Sequence, residues 1–392
     1  PFENKWFPAI ITKVDDNYFI INNHLNENYQ VNLNIEDNKW LLKEQFTIGD
    51  VIFVEKKIDE YIVRQIPEVN GGIVVMNPHN GDVLALSGGF SFKISEFNRA
   101  TQAKRQPGSA FKPFVYLAAL ENGFTPASKI LDAPFVVDQG AGQGWWKPAN
   151  YTNKFYGPST LRLGVEKSRN LMTVRLAQFV WMDIITNYAN KFGITKNMPE
   201  LLSMSLGAGE TTLIDITAAY AMLVNGGKFI KPSLIDRIQD RRGITIMSSD
   251  ERVCDKCKTA KWSNQNVPKL LDNRQEIVSS EAAYQVVSML EGVVQRGTGR
   301  RIKSLGKHLA GKTGTTNDGI DAWFIGFSAD LVVGVFVGFD HPKTLGPNEQ
   351  GASVAAPIFK NFMKAALDNK PDIPFRIPKG VRLVRIDAKT GL

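Results

Sequence analysis

The chain has 392 residues, 43% of them hydrophobic and 22% charged, and carries a net charge of +8. That length suits two or three domains and the composition is ordinary for a globular protein with a full core, while the longest apolar run, LVVGVFVGF at 331–339, falls far short of the roughly 20 residues that a membrane-spanning helix needs. The positive charge favours anionic surroundings, but no dense Lys/Arg block with interleaved aromatics is present, so nucleic acid is not an expected partner.

Residues 1–66 read as short strands, WFPAIITKV, YFIINN, YQVNLN, DVIFVEKK and EYIVRQI, punctuated by Asn/Asp clusters. Five such strands in so short a stretch predict a small all-β, OB-like barrel, a structural or partner-binding module without a catalytic signature. A second domain is expected over 67–370. It opens with a β-hairpin, GGIVVMNPHNGDVLALSGG (71–89), turning at PHNG. A helix follows from Ser109 to the Asn122-Gly123 stop, with Pro113 in its first turns. Further helices are predicted at 213–225, 281–294 and 354–368, and a strand pair at 322–328 and 331–339. Strands at both ends around a helical middle predict an α+β fold, one antiparallel sheet flanked by helices. Residues 371–392 read as a Pro- and Lys-rich tail. Because the chain starts at Pro1, it is expected to be a fragment of a longer protein.

The chemistry gathers in three short segments. In RQPGSAFKPF, Ser109 and Lys112 lie three apart at a helix start, on one face, with the free N–H groups of the first turn close by. A serine hydroxyl becomes a nucleophile when a neighbouring base takes its proton. Lysine serves as that base only when neutral, so its pKa must fall from about 10.4 to near 7, a bias of about 4–5 kcal/mol that burial and nearby positive charge can supply. Ser-x-x-K is weak alone: SLGK, Ser304 to Lys307, matches it too, without a helix signal. EKSRNL adds the only Ser-x-Asn, Ser168 and Asn170, expected in an extended loop that aims a hydroxyl and an amide the same way. AGKTGTT (310–316), if extended, puts Thr313 and Thr315 on one face and Lys312 and Gly314 on the other. The two hydroxyls suit a substrate carboxylate, and Gly314 permits a close approach. The Lys-Thr-Gly at 389–391 is read as a turn.

SAFK, SRN and KTGTT, in that order and about 60 and about 140 residues apart, resemble the active-site triplet of penicillin-binding proteins. FNRATQAKRQPGSAFKPFVYLAALENG, FYGPSTLRLGVEKSRN and DAWFIGFS are similar to bifunctional class A members of that family, over about residues 67–370. The resemblance implies a D,D-transpeptidase that cross-links peptidoglycan stem peptides through a serine acyl-enzyme and is acylated by β-lactams. Ser109 would be the nucleophile, Lys112 its base, Ser168 and Lys312 the proton relay to the leaving D-alanine, and Asn170 the group that fixes Lys112 and the substrate amide. Thr313, Gly314 and Thr315 would bind substrate, with the backbone N–H groups of Ser109 and Thr315 as oxyanion hole. No cofactor and no metal are implied. The partners implied are stem peptides on lipid II-derived glycan strands, β-lactam antibiotics, and a cell-wall protein at the small domain. The parent would be membrane-anchored, would face the bacterial periplasm and would carry a glycosyltransferase half.

Two other outcomes stay open on the same motifs, a D,D-carboxypeptidase that passes the acyl group to water and a non-catalytic β-lactam receptor. A class A β-lactamase is disfavoured, since no E-x-x-L-N run follows the Ser-x-Asn. Trp145 and Trp146 in GQGWWKPANY suit either a substrate groove or core packing. Cys254 and Cys257, in CDKC, suit either a local disulfide or two free thiols, and two thiols alone cannot complete a zinc site.

Overall fold

The computed structural model of the chain describes residues 5–58, 60–138, 144–250, 252–254, 270–388 and 390–392. Cys257, the side chain of Cys254 and Lys389 of the second Lys-Thr-Gly lie outside the described residues. The chain divides into two compact units, Pro1–Glu68 and Val69–Leu392. No described helix is long and apolar enough to cross a membrane.

In the first unit, β1 (Trp6–Val14), β2 (Tyr18–Asn23), β3 (Asn28–Asn32), β4 (Val51–Lys57) and β5 (Glu60–Arg64) form one antiparallel sheet in the order β3-β2-β1-β4-β5. Alternation along these strands turns Ile11, Phe19, Ile21, Val31, Val54 and Val63 into a small core. The buried Asn38 stitches the two outer strands together. Its Nδ2 donates to Asn32 O (2.9 Å) on β3 and Tyr61 O (3.0 Å) on β5, and its Oδ1 accepts from Val63 N (3.0 Å). One amide thus satisfies strand edges that would otherwise be open, and the sheet curls toward a barrel.

The second unit opens with the hairpin β6 (Asn70–Met76) and β7 (Val83–Ser87), then α1 (Lys112–Glu121). Two small ribbons follow, built from β8 (Lys129–Asp132) with β11 (Gly157–Thr160) and from β9 (Val137–Asp138) with β10 (Trp145–Trp146). Helices α2 (Leu161–Glu166), α3 (Asn170–Val180), α4 (Met182–Lys191) and α5 (Leu213–Val224) come next. After them stand the pairs β12 (Arg237–Gln239) with β13 (Thr245–Ser248) and β14 (Val253–Cys254) with β15 (Leu270–Leu271). The chain closes with α6 (Ser280–Arg296), β16 (Ala310–Thr315), β17 (Asp321–Phe327), β18 (Val332–Gly338) and α7 (Ala356–Ala366). The central sheet is antiparallel throughout, in the order β16-β17-β18-β6-β7, so β16 is an edge strand.

Alternation on the sheet sends Trp323, Ile325, Phe327, Val332 and Phe336 to one face, under α1, α5 and α6, and Phe324, Val333 and Val335 to the other, under α7. The α+β architecture read from the sequence is the one observed. Helix α1 is buried on every side from Lys112 to Leu120, as an all-round apolar helix must be. Its first residue, Lys112, is the exception in chemistry and not in burial.

Candidate active site

Ser109 sits in a single 3-10 turn, Gly108–Ala110, that feeds directly into α1. The turn is braced on both sides. Gly108 N donates to Gly207 O (3.2 Å), and the buried Tyr220 hydroxyl of α5 donates to Ala110 O (2.7 Å). Upstream, the Arg105 guanidinium pairs with the largely buried Asp321 of β17 (2.7 Å). Gly108 has φ +52°, and a Cβ there would lie 2.5 Å from Thr315 O. The serine turn therefore presses on the open edge of β16, and glycine is required for both reasons. Gly108→Ala is expected to cost about 1–3 kcal/mol, measured as a lower urea midpoint with unchanged slope.

Lys112 is fully buried, and its Nζ donates to Ser168 O (2.8 Å), to Asn170 Oδ1 and, more weakly, to Ser168 Oγ (3.4 Å). Lys312, also fully buried, donates to the same Ser168 Oγ (2.8 Å). One hydroxyl thus stands between two lysines from α1 and β16. Burial, and after it the Lys312 charge, push Lys112 well below the usual lysine range. Burial alone brings Lys312 down to about 7. With both lysines on one hydroxyl, one charge on the pair is favoured over two. Among the described residues no side chain hydrogen-bonds the Ser109 hydroxyl, which is half-buried and opens into the cleft.

The Ser168–Asn170 segment departs from the extended loop expected. Ser168 takes the left-handed conformation (φ +54°) just past the end of α2, and Asn170 is the first residue of α3. The corner is closed by Ser168 N to Val165 O (3.1 Å) and Arg169 N to Gly164 O (2.9 Å), a helix C-terminal cap. A non-glycine residue held there stores roughly 1 kcal/mol or more, a cost common where geometry is dictated by function. The hydroxyl and the amide still converge on Lys112, through a helix corner.

Strand β16 behaves as its alternation predicts. Lys312 and Gly314 face the Ser109 turn and the start of α1, and a Cβ on Gly314 would overlap Pro107 O and crowd Ala110 Cβ (3.1 Å). Thr313 and Thr315 line the cleft, Thr313 sharing a hydrogen bond with Thr298 (2.9 Å) and Thr315 accepting from Gly351 N (3.1 Å). Thr316 N donates across the ladder to Asp321 O (3.2 Å). Because N–H directions alternate in an antiparallel pair, Thr315 N–H points off the sheet edge, toward the Ser109 turn.

The cleft encloses about 970 Å³ and is lined by Ser109, Ser168, Asn170, Thr313 and Thr315 among others. All eight residues singled out in the sequence belong to it or lie directly beneath it. The decoy pair is elsewhere: Ser304 Oγ donates to Arg301 O (3.2 Å) and Lys307 to Lys370 O (2.7 Å). Trp146 packs against Phe135, Leu171 and Val174, while Trp145 is exposed, and neither lines the cleft. The aromatic residue that does is Tyr151, whose hydroxyl accepts a hydrogen bond from Gln350. Thr298 and Asn150 were likewise not legible as site residues, although Asn150 and Tyr151 stand in the same WWKPANY stretch as the tryptophans.

A model of the penicillin binding protein transpeptidase domain matches residues 71–364. Penicillin-binding protein 1A of Rickettsia bellii is 47% identical over 367 residues, 91% of this chain and 46% of that protein. The protein of the same name from Pseudomonas aeruginosa is 38% identical, over 88% of this chain and 46% of its own length. The chain thus spans about half the length of the curated relatives it matches. Among solved structures, penicillin-binding protein 1A from Haemophilus influenzae superposes with a TM-score of 0.85 at 30% identity, covering 99% of this chain and 61% of that one. The PonA1 protein from Mycobacterium tuberculosis in complex with penicillin V gives 0.66 at 25% identity, covering 81% of this chain and 83% of that one. With its serine turn, buried lysine pair and threonine-lined edge strand in one cleft, the chain belongs to the penicillin-binding protein transpeptidase family.

Proposed function

We propose that the chain is the D,D-transpeptidase part of a bifunctional class A protein, joining peptidoglycan stem peptides through an ester on Ser109. The observation that carries the reading is the Lys112–Ser168–Lys312 array beneath a cleft into which Ser109 opens. In the first step a neutral Lys112 takes the Ser109 proton as Oγ attacks the carbonyl between two D-alanines. The developing oxyanion is met by the N–H groups of Ser109 and Thr315. The C–N bond then breaks, and Ser168 delivers a proton to the departing D-alanine nitrogen. Ser168 is replenished from Lys112, and the Lys312 charge lowers the cost of that relay. Asn170 holds Lys112 in place, while Thr313 and Thr315 hold the terminal carboxylate. In the second step an amine of a neighbouring stem peptide attacks the ester, forms the new amide and releases Ser109. A β-lactam presents an amide and a carboxylate in the same relation, so it acylates the same oxygen.

The remaining elements of the proposal concern the parent. Residues 1–66 serve as an OB-like docking module for a cell-wall protein, 67–370 as the catalytic domain and 371–392 as its tail. The full-length protein is anchored in the inner membrane, faces the periplasm and carries a glycosyltransferase half that supplies glycan strands.

The test is turnover of a stem-peptide thioester with and without a D-amino acid. The expected product contains the added amine. Free acid as sole product would make the chain a carboxypeptidase, and a single stoichiometric burst would make it a receptor.

A further inference from the structure

The Ser168–Asn170 corner has to hold an amide against the buried Lys112 nitrogen to within a fraction of an ångström, and nothing in the three motifs says what holds the corner. The structure supplies a candidate twenty residues upstream. Asn150 is nearly fully buried, and its Oδ1 accepts the first two backbone N–H groups of α3, Asn170 N (2.9 Å) and Leu171 N (3.3 Å). Those donors belong to a helix whose own N-cap residue, Arg169, makes no side-chain cap. Asn150 therefore caps α3 from a separate loop. Its neighbour Ala149 adds a second hold, accepting from Asn170 Nδ2 (2.7 Å) and so fixing which end of that amide faces Lys112.

Asn150 is itself oriented. Its Nδ2 donates to Asp132 Oδ1 (2.7 Å) and to Lys154 O (2.9 Å). Asp132 is completely buried, its Oδ2 has no hydrogen bond, and the only cation near it is Arg169, at 3.7 Å among the described residues. A buried carboxylate acting only as a structural filler is expensive. A carboxylate oxygen that accepts and never donates dictates which way round the Asn150 amide must lie, leaving its oxygen for α3.

We propose that Asn150, oriented by Asp132, is a positioning residue for the proposed transpeptidase reaction: it fixes the N-terminus of α3 so that Asn170 presents its oxygen to Lys112. This inference rests on the reading of Lys112 as the base. Its physical core, control of the Lys112 environment through a chain of three side chains, is measurable without any reaction.

The charged groups concerned are few. Lys312 on β16 faces Lys112 through the Ser168 hydroxyl, and Asp132 with Arg169 faces Asn150. The Asn170 oxygen favours the ammonium form of Lys112, so releasing it lowers the Lys112 titration midpoint further. In Asn150→Ala, the ¹³Cε-lysine resonance of Lys112, assigned by its loss in Lys112→Arg, is expected to titrate at lower pH than in wild type. Penicillin acylation should slow about 10²-fold, the usual cost of a small misplacement, and its acid limb should move the same way. In Asn150→Asp the new carboxylate faces Asp132, and acylation should fall at least as far. Adding Asp132→Asn restores the bond between positions 132 and 150 with the roles exchanged, though not the bond to Lys154 O, and the double variant should regain part of the loss, about tenfold over Asn150→Asp. A Lys112 midpoint unchanged in a folded Asn150→Ala would overturn the proposal, whatever happened to melting temperature. So would a double variant no better than Asn150→Asp. If Lys112 titrates as expected while wild type forms no adduct at Ser109, the positioning stands and the reaction assigned to it falls.

Discussion

Ser109→Ala is expected to leave a folded protein that no longer forms a covalent adduct with any β-lactam. In wild type, intact-mass measurement should show one adduct per chain and the labelled peptide should contain Ser109. In the variant the adduct should vanish, with any residual acylation rate reduced by on the order of 10⁶-fold, the scale at which loss of a nucleophile is felt. Stability should change by less than about 0.5 kcal/mol. The reason is specific to this site. No described side chain hydrogen-bonds the hydroxyl, so its removal orphans no protein donor or acceptor. The bonds that brace the turn use its own backbone atoms, Gly108 N donating to Gly207 O and Ala110 O accepting from the Tyr220 hydroxyl, and alanine keeps them. An undiminished adduct would move the nucleophile elsewhere, and Ser168, held between two lysines, would be the first oxygen to examine.

The sequence carried the site better than it carried the scaffold around it. Ser109, Lys112, Lys312 and the two threonines were legible because each lies in a local pattern whose geometry follows from secondary structure alone, a helix start and an extended edge strand. Ser168 and Asn170 were found by the Ser-x-Asn pattern and placed in the wrong local conformation. A left-handed corner between two helices leaves little trace when a serine occupies it in place of glycine. The helices around it were within reach, since Met172, Leu176 and Val180 recur at helical spacing and are all buried. What no local pattern could reveal is Asn150. Its partners Asp132, Asn170 and Leu171 lie in different elements, so its role exists only in three dimensions. The two-faced sheet was legible in outline, because β17 and β18 read as near-continuous apolar runs, as strands covered on both faces do.

The lysine pair leads to a prediction with a definite sign at each limb. On the proposed mechanism the free enzyme is competent when Lys112 is neutral and Lys312 is charged. The second-order acylation constant should therefore be bell-shaped in pH, rising through the low Lys112 midpoint and falling through about 7 as Lys312 loses its proton. These are properties of the coupled pair, and variants assign them. Lys312→Met removes the group behind the alkaline limb, which should disappear, and the constant should drop about 10²- to 10³-fold with the loss of positive potential at the relay. It also removes the charge that depresses Lys112, so the acid limb should move to higher pH. A purely structural Lys312 would lower the whole profile without moving either limb. The same pair sets a stability signature. For Lys312 the folded value of about 7 lies below the unfolded 10.5, so folding expels its proton in that window. Stability is then complete above the unfolded value and declines as pH falls toward 7, so the wild-type urea midpoint should rise between pH 7 and 10. Lys312→Met should make that rise shallower without abolishing it, because Lys112 expels its proton over the same window, even as it slows acylation. The charge that the proposed chemistry requires is one the fold would rather exclude, and a melting temperature raised by its removal is the expected mark of a site kept at the expense of stability.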